Sequence, residues 1–371
     1  MNHARLNKKA AGAATDACKS IHKSICKLIY TPIASHSMST ISKVAELAGV
    51  SRTTVSHVLN HANRVSKPLR AKVEAAIAEL GYSPNPQAQS LRTGRTNLVA
   101  VLIPDILNPF YPELVKVIQT GLETNGLDTL VFNTDVPGGH SVEHGREYLR
   151  QIRHKRVDGL IIADFAVHRM HEDLLALDVP AVFMGHLPSR AIDSVAFDDH
   201  GGCYALGKYL AEAGHKRVAH VTGPSFFQQA MVRRQGFEQG FAEHGSTIDE
   251  ALQFEGSYLV PSGYEAIEWL LREHGANLPS AIFFANSLMA RGGLAALHDR
   301  GLEAPRDIAL ATFDDFDHLD YVRPKLTRVG AKPAALATKA LEMLSDRLDG
   351  RWTGAVRSEI LPCTLRRLDT A

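Results

Sequence analysis

The residues best suited to recognising another molecule by hydrogen bonding begin just after position 50. Between Arg52 and Arg64 the chain holds short polar and cationic side chains of the types that contact base edges and phosphate oxygens of DNA. The six candidates are Arg52, Thr53, Ser56, His57, Asn60 and Arg64. Arg52 and Thr53 start a predicted helix and are expected to read bases in a major groove. The others are expected to hold phosphates, and His57 could serve either purpose.

Three predicted helices position these side chains. Thr40 is a candidate N-cap, after which apolar residues recur at the i, i+3, i+4, i+7 spacing of a helix. Gly49 closes this helix and Ser51 caps the next, within the short turn of a helix-turn-helix. Ser66 is expected to cap a third helix, with Pro68 in its first turn. A small helical cap on an enzyme would show the same geometry.

Charge favours a nucleic-acid partner over that alternative. Residues 1–37 and 38–95 each carry a net charge of +5, whereas the residues after 95 carry −9. A basic N-terminal segment followed by an acidic remainder indicates that only the N-terminal segment binds a polyanion. Residues 1–37 show no core pattern and are expected to form a disordered basic tail. Met38 is a candidate natural start.

Other classes of site and location have little support. Four cysteines (18, 26, 203 and 363) show no disulfide framework and suit a reducing cytosol. Cys18, His22 and Cys26 lack the paired partner motif of a metal site, so no metal is expected. No apolar run is long enough to span a membrane, and lysines interrupt every candidate signal peptide. A cytoplasmic protein is expected.

From Leu98 onward, apolar runs rich in β-branched residues alternate with helical stretches. The predicted strands cover 98–104, 130–133, 159–164, 181–184, 217–223, 281–286 and 308–313. Such alternation predicts parallel sheets covered by helices on both faces. This many strands in residues 97–371 predict two doubly wound α/β lobes, with a ligand outside the carboxyl ends of the strands.

Ordered motifs along the whole chain resemble the lactose-repressor/galactose-repressor (LacI/GalR) family. The first set is V-A-x-x-A-G-V-S-x-x-T-V-S-x-V-L-N, then R-V-S, then L-G-Y-x-P-N-x-x-A-x-S-L-R-T-G-R-T. The second set is P-D-I-x-N-P-F (104–110), R-V-D-G-L-I-I (156–162), G-H-x-R-V (214–218), S-G-Y-E-A (262–266), F-D-D (313–315) and P-x-L-T (324–327). The resemblance implies a sequence-specific repressor of carbohydrate-related genes, controlled by a small molecule. Its core should be similar to periplasmic sugar-binding proteins.

The resemblance also implies a domain plan and a DNA-bound assembly. A helix-turn-helix headpiece is expected over residues 38–84, a hinge helix and linker over 85–96, and a two-lobed core over 97–371. The hinge helix should order on DNA and insert Leu91, with Ala88 beside it, into the minor groove. A homodimer on a pseudo-palindromic operator is expected. No apolar heptads follow the core, so a tetramerising coiled coil is not expected.

Effector-contacting positions follow from the same resemblance. They fall on Phe110, Tyr111, Phe227, Gln229, Arg233, Tyr258, Asn286 and Asp314. Aromatic rings can stack on a sugar face, arginine offers a fork of donors, and a carboxylate can accept from two hydroxyls. A sugar or a sugar acid is therefore the expected effector, and no other cofactor is expected.

Several positions depart from the family pattern. His57 and Gln89 replace arginines, which weakens the cationic DNA footprint. Ala331 replaces a glutamine common near the cleft. Ser287 replaces an aspartate and is expected to keep the role of N-cap. His186 follows a strand, as do Asp164 and His168, and could enlarge a polar pocket.

Two other functions explain fewer features. An exported sugar receptor would lack residues 40–94 and would carry a signal peptide. A nucleotide-using enzyme should contain a phosphate loop or nucleophile motif, yet G-x-G-x-x-G, G-x-x-x-x-G-K-[ST] and G-x-S-x-G are all absent from the sequence. The chain is therefore expected not to be an enzyme.

Overall fold

A computed structural model describes most of the chain. The described residues are 40–60, 62–83, 90, 94–134, 142–163, 171–187, 192–275 and 277–371. Their contacts divide the chain into two compact units, residues 1–92 and 93–371. The expected basic tail, Ala88, Gln89 and Leu91 of the expected hinge, and Asp164 and His168 lie outside the described residues, so the exact domain limits stay a prediction.

The first unit contains a helix-turn-helix. Helices α1 (Ile41–Ala48) and α2 (Arg52–Asn60) are separated by Gly49, whose φ of +64° is a left-handed conformation that glycine adopts without strain. As predicted, the Thr40 hydroxyl accepts a hydrogen bond from the Lys43 N–H at 3.4 Å.

Ser51 caps α2, because its hydroxyl accepts a hydrogen bond from the Thr54 N–H at 3.1 Å. Helix α3 (Lys67–Leu80) follows, with Pro68 in its first turn. The Ser66 side chain makes no capping hydrogen bond, so that part of the prediction is wrong. Pro68 lacks an N–H, which leaves fewer donors to satisfy at this end. The three helices share an apolar core formed by Val44, Ala45, Val55, Val58, Val73 and Ala76.

The second unit is built on two parallel-dominated sheets, which confirms the predicted fold class. The first sheet contains β1 (Leu98–Ile103), β2 (Asp128–Asn133), β3 (Gly159–Ile162), β4 (Ala181–Met184), β5 (Asp193–Phe197) and β11 (Ser358–Leu361). Its strand order is β11-β5-β4-β3-β1-β2, and all of its pairs are parallel. Helices α4 (Phe110–Thr124) and α11 (Pro333–Leu348) cover one face. Helices α5 (Val142–Lys155) and α6 (His171–Leu175) cover the other.

The second sheet repeats this plan. Its strands are β6 (Val218–Thr222), β7 (Gln253–Glu255), β8 (Ala281–Phe284), β9 (Ala309–Phe313), β10 (Thr327–Gly330) and β12 (Thr364–Arg366), in the order β12-β10-β9-β8-β6-β7. Strand β12 is antiparallel to β10. Helices α7 (Asp199–Glu212) and α8 (Gln228–Ala242) cover one face. Helices α9 (Val260–His274) and α10 (Ser287–Asp299) cover the other.

The chain passes repeatedly between these two lobes. Within the described residues it crosses after β5, after β10 and between β11 and β12. Each lobe therefore contains segments distant in sequence. Covalent connections at these crossovers allow the lobes to move about a shared hinge, which is the arrangement of proteins that close around ligands.

Candidate functional site

The exposed face of α2 carries the predicted DNA-contacting side chains. Arg52, Thr53 and His57 are exposed on this helix, and Arg64 is exposed just beyond it. The buried face of α2 instead holds Val55 and Val58. The cationic and polar side chains are thus available to a partner while the apolar ones hold the headpiece together.

Ser56 and Asn60 differ from the other candidates. Both are half-buried. The Asn60 amide donates a hydrogen bond to the Ser56 carbonyl at 2.6 Å, one turn earlier in the helix. This bond holds the Asn60 side chain against α2. To bind a DNA phosphate, the Asn60 amide would have to donate a second hydrogen bond or give up the one to Ser56.

A cavity of about 210 Å³ lies between the two lobes of the second unit. All eight residues that the sequence predicts at the effector site line it: Phe110, Tyr111, Phe227, Gln229, Arg233, Tyr258, Asn286 and Asp314. Most of these residues follow the carboxyl ends of strands, the position expected for a ligand in doubly wound folds. Their role in binding stays a prediction, but their convergence on one cavity is a property of the fold.

Arg233 forms the fixed cationic edge of the cavity. Its Nε donates to Asp199 Oδ1 at 2.7 Å and its Nη1 donates to the Ala285 carbonyl at 2.7 Å. The guanidinium lies 3.6 Å from the centre of the Phe313 ring. Burial opposes the charge, but Asp199 together with Tyr258 and Asp314 more than compensates and raises the pKa of Arg233. Nη2 makes no hydrogen bond to the described residues and is available to a ligand.

Asp199 is a cavity residue that the sequence analysis missed. Its second oxygen lies 2.7 Å from His186 Nε2, so the carboxylate links His186 to Arg233. Burial alone would raise the pKa of Asp199, but the combined effect of Arg233 and His186 is larger. The pKa of Asp199 therefore lies below its usual value. His186 was only a possible pocket extension from sequence, and this contact fixes its ring. The available signal was the pair of carboxylates after β5, of which Asp198 caps α7 and Asp199 reaches the cavity.

Asp314 supplies an acceptor on the same wall. Its φ is +100°, a strained value for a residue with a side chain. One oxygen accepts hydrogen bonds from the Ser287 N–H and hydroxyl, each at 2.9 Å. Burial raises the pKa of Asp314 to about 6, against the opposing effects of Arg233 and Ser287. The other oxygen makes no hydrogen bond within the described residues.

The cap of α10 is Asn286, not Ser287. The Asn286 side chain accepts from the Met289 N–H at 2.9 Å, while Ser287 begins the helix and donates to Asp314. The expectation for Ser287 is therefore wrong. The residue that replaces the family's aspartate instead orients a cavity carboxylate, because a hydroxyl can donate where a second carboxylate could only repel.

Tyr258 lines the cavity in a conformation that its surroundings enforce. Its φ is +66°, and the Asn286 amide donates to its carbonyl at 2.8 Å. The ring lies against Gly223, where an added Cβ would be 2.0 Å from the ring carbon Cζ. The Tyr258 hydroxyl is buried and has no hydrogen-bond partner among the described residues. Burial raises the pKa of this hydroxyl, so it stays a neutral donor.

Aromatic rings form walls on both sides of the cavity. In the first lobe, Phe110 packs edge-on against Tyr111, with ring centres 5.2 Å apart. In the second lobe, the rings of Phe227 and Tyr258 are stacked with centres 6.0 Å apart. Gln229 lines the cavity, and its amide makes no hydrogen bond to the described residues. The cavity therefore combines apolar walls with one polar edge.

The formal charges around the cavity are predominantly negative. Asp105, Asp199 and Asp314 line it, against the single guanidinium of Arg233. Because Asp199 already neutralises Arg233, an anionic ligand would be repelled by the carboxylates of Asp105 and Asp314. No group of three or more His, Cys, Asp or Glu side chains suited to a metal ion occurs in the described part of the chain.

Comparisons with known proteins match both units. The family model described as "Bacterial regulatory proteins, lacI family" matches residues 40–85. The model described as "Periplasmic binding protein-like domain" matches residues 208–368. The chain is 33% identical to the ribose operon repressor of Escherichia coli strain K12 over 334 residues, which is 89% of this chain and 99% of the relative.

Solved structures give the same result. A lac repressor dimer bound to operator and the anti-inducer ONPF is 28% identical, with a TM-score of 0.77, and the match covers 90% of this chain and 98% of that one. A LacI family regulator from Enterococcus faecium with bound ribose is 26% identical, with a TM-score of 0.66, and the match covers 74% and 98%. None of the described helices is long and apolar enough to cross a membrane.

Proposed function

The chain belongs to the lacI family of bacterial regulatory proteins, and we propose that a neutral monosaccharide in its interlobe cavity controls its affinity for operator DNA. The protein is a DNA-binding transcriptional repressor with a helix-turn-helix and an effector-binding core. The finer assignments, namely the effector, the contacting residues, the dimer and the cytoplasmic location, are our proposal. The observation that carries it is the convergence of Arg233, Asn286, Asp314 and two aromatic walls on one cavity.

The charge around the cavity supports a neutral effector over a sugar acid. Arg233 is the cation to which a carboxylate would bind, and Asp199 already occupies its Nε. Hydroxyl groups need no compensating charge. They can accept from Arg233 Nη2 and donate to the unoccupied oxygen of Asp314. A volume of about 210 Å³ is below the about 300–1,000 Å³ of sites for drug-sized ligands, which suits a single ring.

A single ring of this kind would contact both lobes at once. Phe110 and Tyr111 belong to the first lobe, whereas Arg233 and Asp314 belong to the second. A ligand held by both lobes favours the lobe arrangement in which both sets of contacts form. If that arrangement also differs in its affinity for operator, the ligand and the operator must change each other's affinity by the same factor.

At the DNA, Arg52 and Thr53 are the proposed base-reading residues. They lie at the amino end of α2 and are exposed, which is the geometry of a recognition helix in a major groove. Two headpieces in a homodimer would read a pseudo-palindromic operator. The lac repressor relative is itself a dimer bound to operator. Ala88 and Leu91 remain the proposed minor-groove contacts.

A thermal-unfolding screen of the full chain tests the effector proposal. The panel contains matched pairs of a neutral sugar and its acid, such as ribose with ribonate and glucose with glucuronate. A true effector at a hundred times its dissociation constant should stabilise the protein by about 2.7 kcal/mol. Arg233→Ala should abolish the shift, whereas Arg234→Ala should retain it, because Arg234 is exposed, pairs with Glu238 and does not line the cavity. Stabilisation by the acid member alone would refute the proposal.

A further inference from the structure

A second cavity lies at the opposite edge of the first lobe. It measures about 460 Å³. Its lining comes largely from residues that precede strands β1, β3 and β4, namely Gly94, Arg95, Val157, Asp158, Val179 and Pro180. The effector cavity lies beyond the carboxyl ends of the strands, so the two cavities share no lining residue. Apolar side chains, including the buried Ile152 and Val157, form part of its wall.

Arginines dominate the charge of this second cavity. Its ionisable lining residues are Arg95, Arg153, Arg156, Arg347, Asp158 and Asp178. Arg347 is fully engaged, because it binds Asp193 through two nitrogens. Arg153 uses one nitrogen, which donates to the Ala176 carbonyl at 3.2 Å. The Arg156 side chain makes no hydrogen bond or ion pair within the described residues.

The acidic side chains do not neutralise these arginines. Asp158 accepts hydrogen bonds from the Thr96 N–H at 2.9 Å, the Asn97 N–H at 2.7 Å and the Thr96 hydroxyl at 3.0 Å. Its carboxylate is thus satisfied by the segment that enters β1. Asp178 lies within 4 Å of no arginine nitrogen in the described part of the chain. Two guanidinium groups therefore remain open to an anion.

The backbone of Arg156 is strained. Its φ is +52° at the position directly after α5. Glycine is the residue that ends helices in this conformation without penalty, and a longer side chain there is disfavoured. The basic residues of the last turn of α5, including Arg153, could be explained by the helix dipole alone. The dipole does not require an adjoining cavity with apolar walls.

We propose that this cavity is a second ligand site, which binds a small molecule that carries a phosphate group on an apolar body. Arg153 and Arg156 would donate to the phosphate oxygens, since guanidinium geometry matches that group. The apolar wall would cover the rest of the ligand. The site is separate from the effector cavity. It would explain why Arg156 stands at a backbone position that glycine would adopt without strain.

Phenyl phosphate is the probe that combines both features. Titration calorimetry and thermal unfolding of the full chain, without DNA and at constant ionic strength, would compare it with inorganic phosphate and with phenol. We expect phenyl phosphate to bind at least tenfold more tightly than either. Arg156→Gly should weaken its binding at least tenfold, while the ligand-free variant is as stable as the wild type or more stable. That combination separates ligand binding from a structural role.

Matched variants complete the test. Arg150→Ala removes an arginine from the same helix, but this residue pairs with Glu147 and does not line the cavity, so binding should be unchanged. Equal binding by Arg156→Gly and the wild type would overturn the proposal. A second result would also overturn it. Phenyl phosphate would fail to bind, and Arg153→Ala and Arg156→Gly would lower the salt dependence of operator binding. The two arginines would then contact DNA phosphates instead.

Discussion

Replacing Asp314 by asparagine should change protein stability and effector binding in opposite directions. Burial raises the pKa of Asp314 to about 6, from an unfolded value of about 3.9. The folded protein therefore holds the proton more tightly than the unfolded chain. Ionisation of Asp314 destabilises the folded state above pH 6, and this destabilisation disappears as the pH falls from 6 towards 4. Asparagine keeps the shape without the charge.

The size of the effect follows from the pKa difference. Two pKa units correspond to about 3 kcal/mol, and solvent in the cavity reduces that figure, so about 1–3 kcal/mol of stabilisation is expected at pH 8. The gain should vanish near pH 4. Effector affinity should instead fall by about 2 kcal/mol or more, because a charged acceptor for sugar hydroxyls is lost.

Denaturant unfolding between pH 4 and pH 8 and calorimetric titration with the sugar measure the two effects. The adjacent Asp315→Asn is the matched control. Asp315 is buried and bonds to the fully buried Arg328 at 2.9 Å, so its loss should destabilise the protein by about 3–5 kcal/mol. If Asp314→Asn were less stable than the wild type at pH 8 and bound sugar normally, Asp314 would be a structural residue and the reasoning would be refuted.

Three further substitutions test other parts of the account. Arg52→Ala should weaken operator binding by about 1–3 kcal/mol and relax preference at one position per half-site, as a binding-site selection would show; unchanged preference would exclude base reading. His220→Leu should raise stability, because both ring nitrogens of this buried residue lack hydrogen-bond partners in the part of the chain that the structure describes. Burial lowers the pKa of His220 to about 3, so denaturant unfolding should show that the wild type loses more stability than His220→Leu as the pH falls from about 6.5 towards 3. Gly240→Ala should destabilise the protein by about 1–3 kcal/mol or more in thermal unfolding, because its Cβ would lie 2.1 Å from the Tyr204 carbonyl oxygen; a neutral effect would contradict the close packing of α7 on α8.

The hydrophobic pattern of the sequence was sufficient to predict the strands that consist mainly of apolar residues. Strand β4 lies at the predicted residues 181–184, and β1, β6, β8 and β9 differ by a residue or two at their ends. Two of the missed strands, β5 and β10, contain buried polar groups. Strand β5 begins with Asp193, which is buried because Arg347 and Arg357 bind it. Strand β10 contains the fully buried Arg328. Partners distant in sequence make such burial possible, and a single sequence does not reveal them.

In the candidate site too, some residues could be predicted from the sequence, whereas others depend on partners distant in the chain. The eight predicted positions meet in one cavity, because each lies on a segment whose place the resemblance to a known fold had set. Asp199 was missed because its role depends on Arg233, 34 residues away on another helix. Ser287 was misassigned because its neighbour Asn286 takes the cap and frees the serine hydroxyl for Asp314. Which of two adjacent polar residues caps a helix depends on where that helix begins, and sequence alone leaves this uncertain by one or two residues.

Operator binding with and without the neutral sugar tests the central claim most directly. Fluorescence anisotropy of labelled operator would be measured for the wild type, Arg233→Ala and Arg234→Ala at fixed salt concentration. We predict that the sugar changes operator affinity about 5–150-fold for the wild type and equally for Arg234→Ala. Arg233→Ala should bind sugar-free operator normally and show no response. An undiminished response in Arg233→Ala would show that the effector does not act through this cavity.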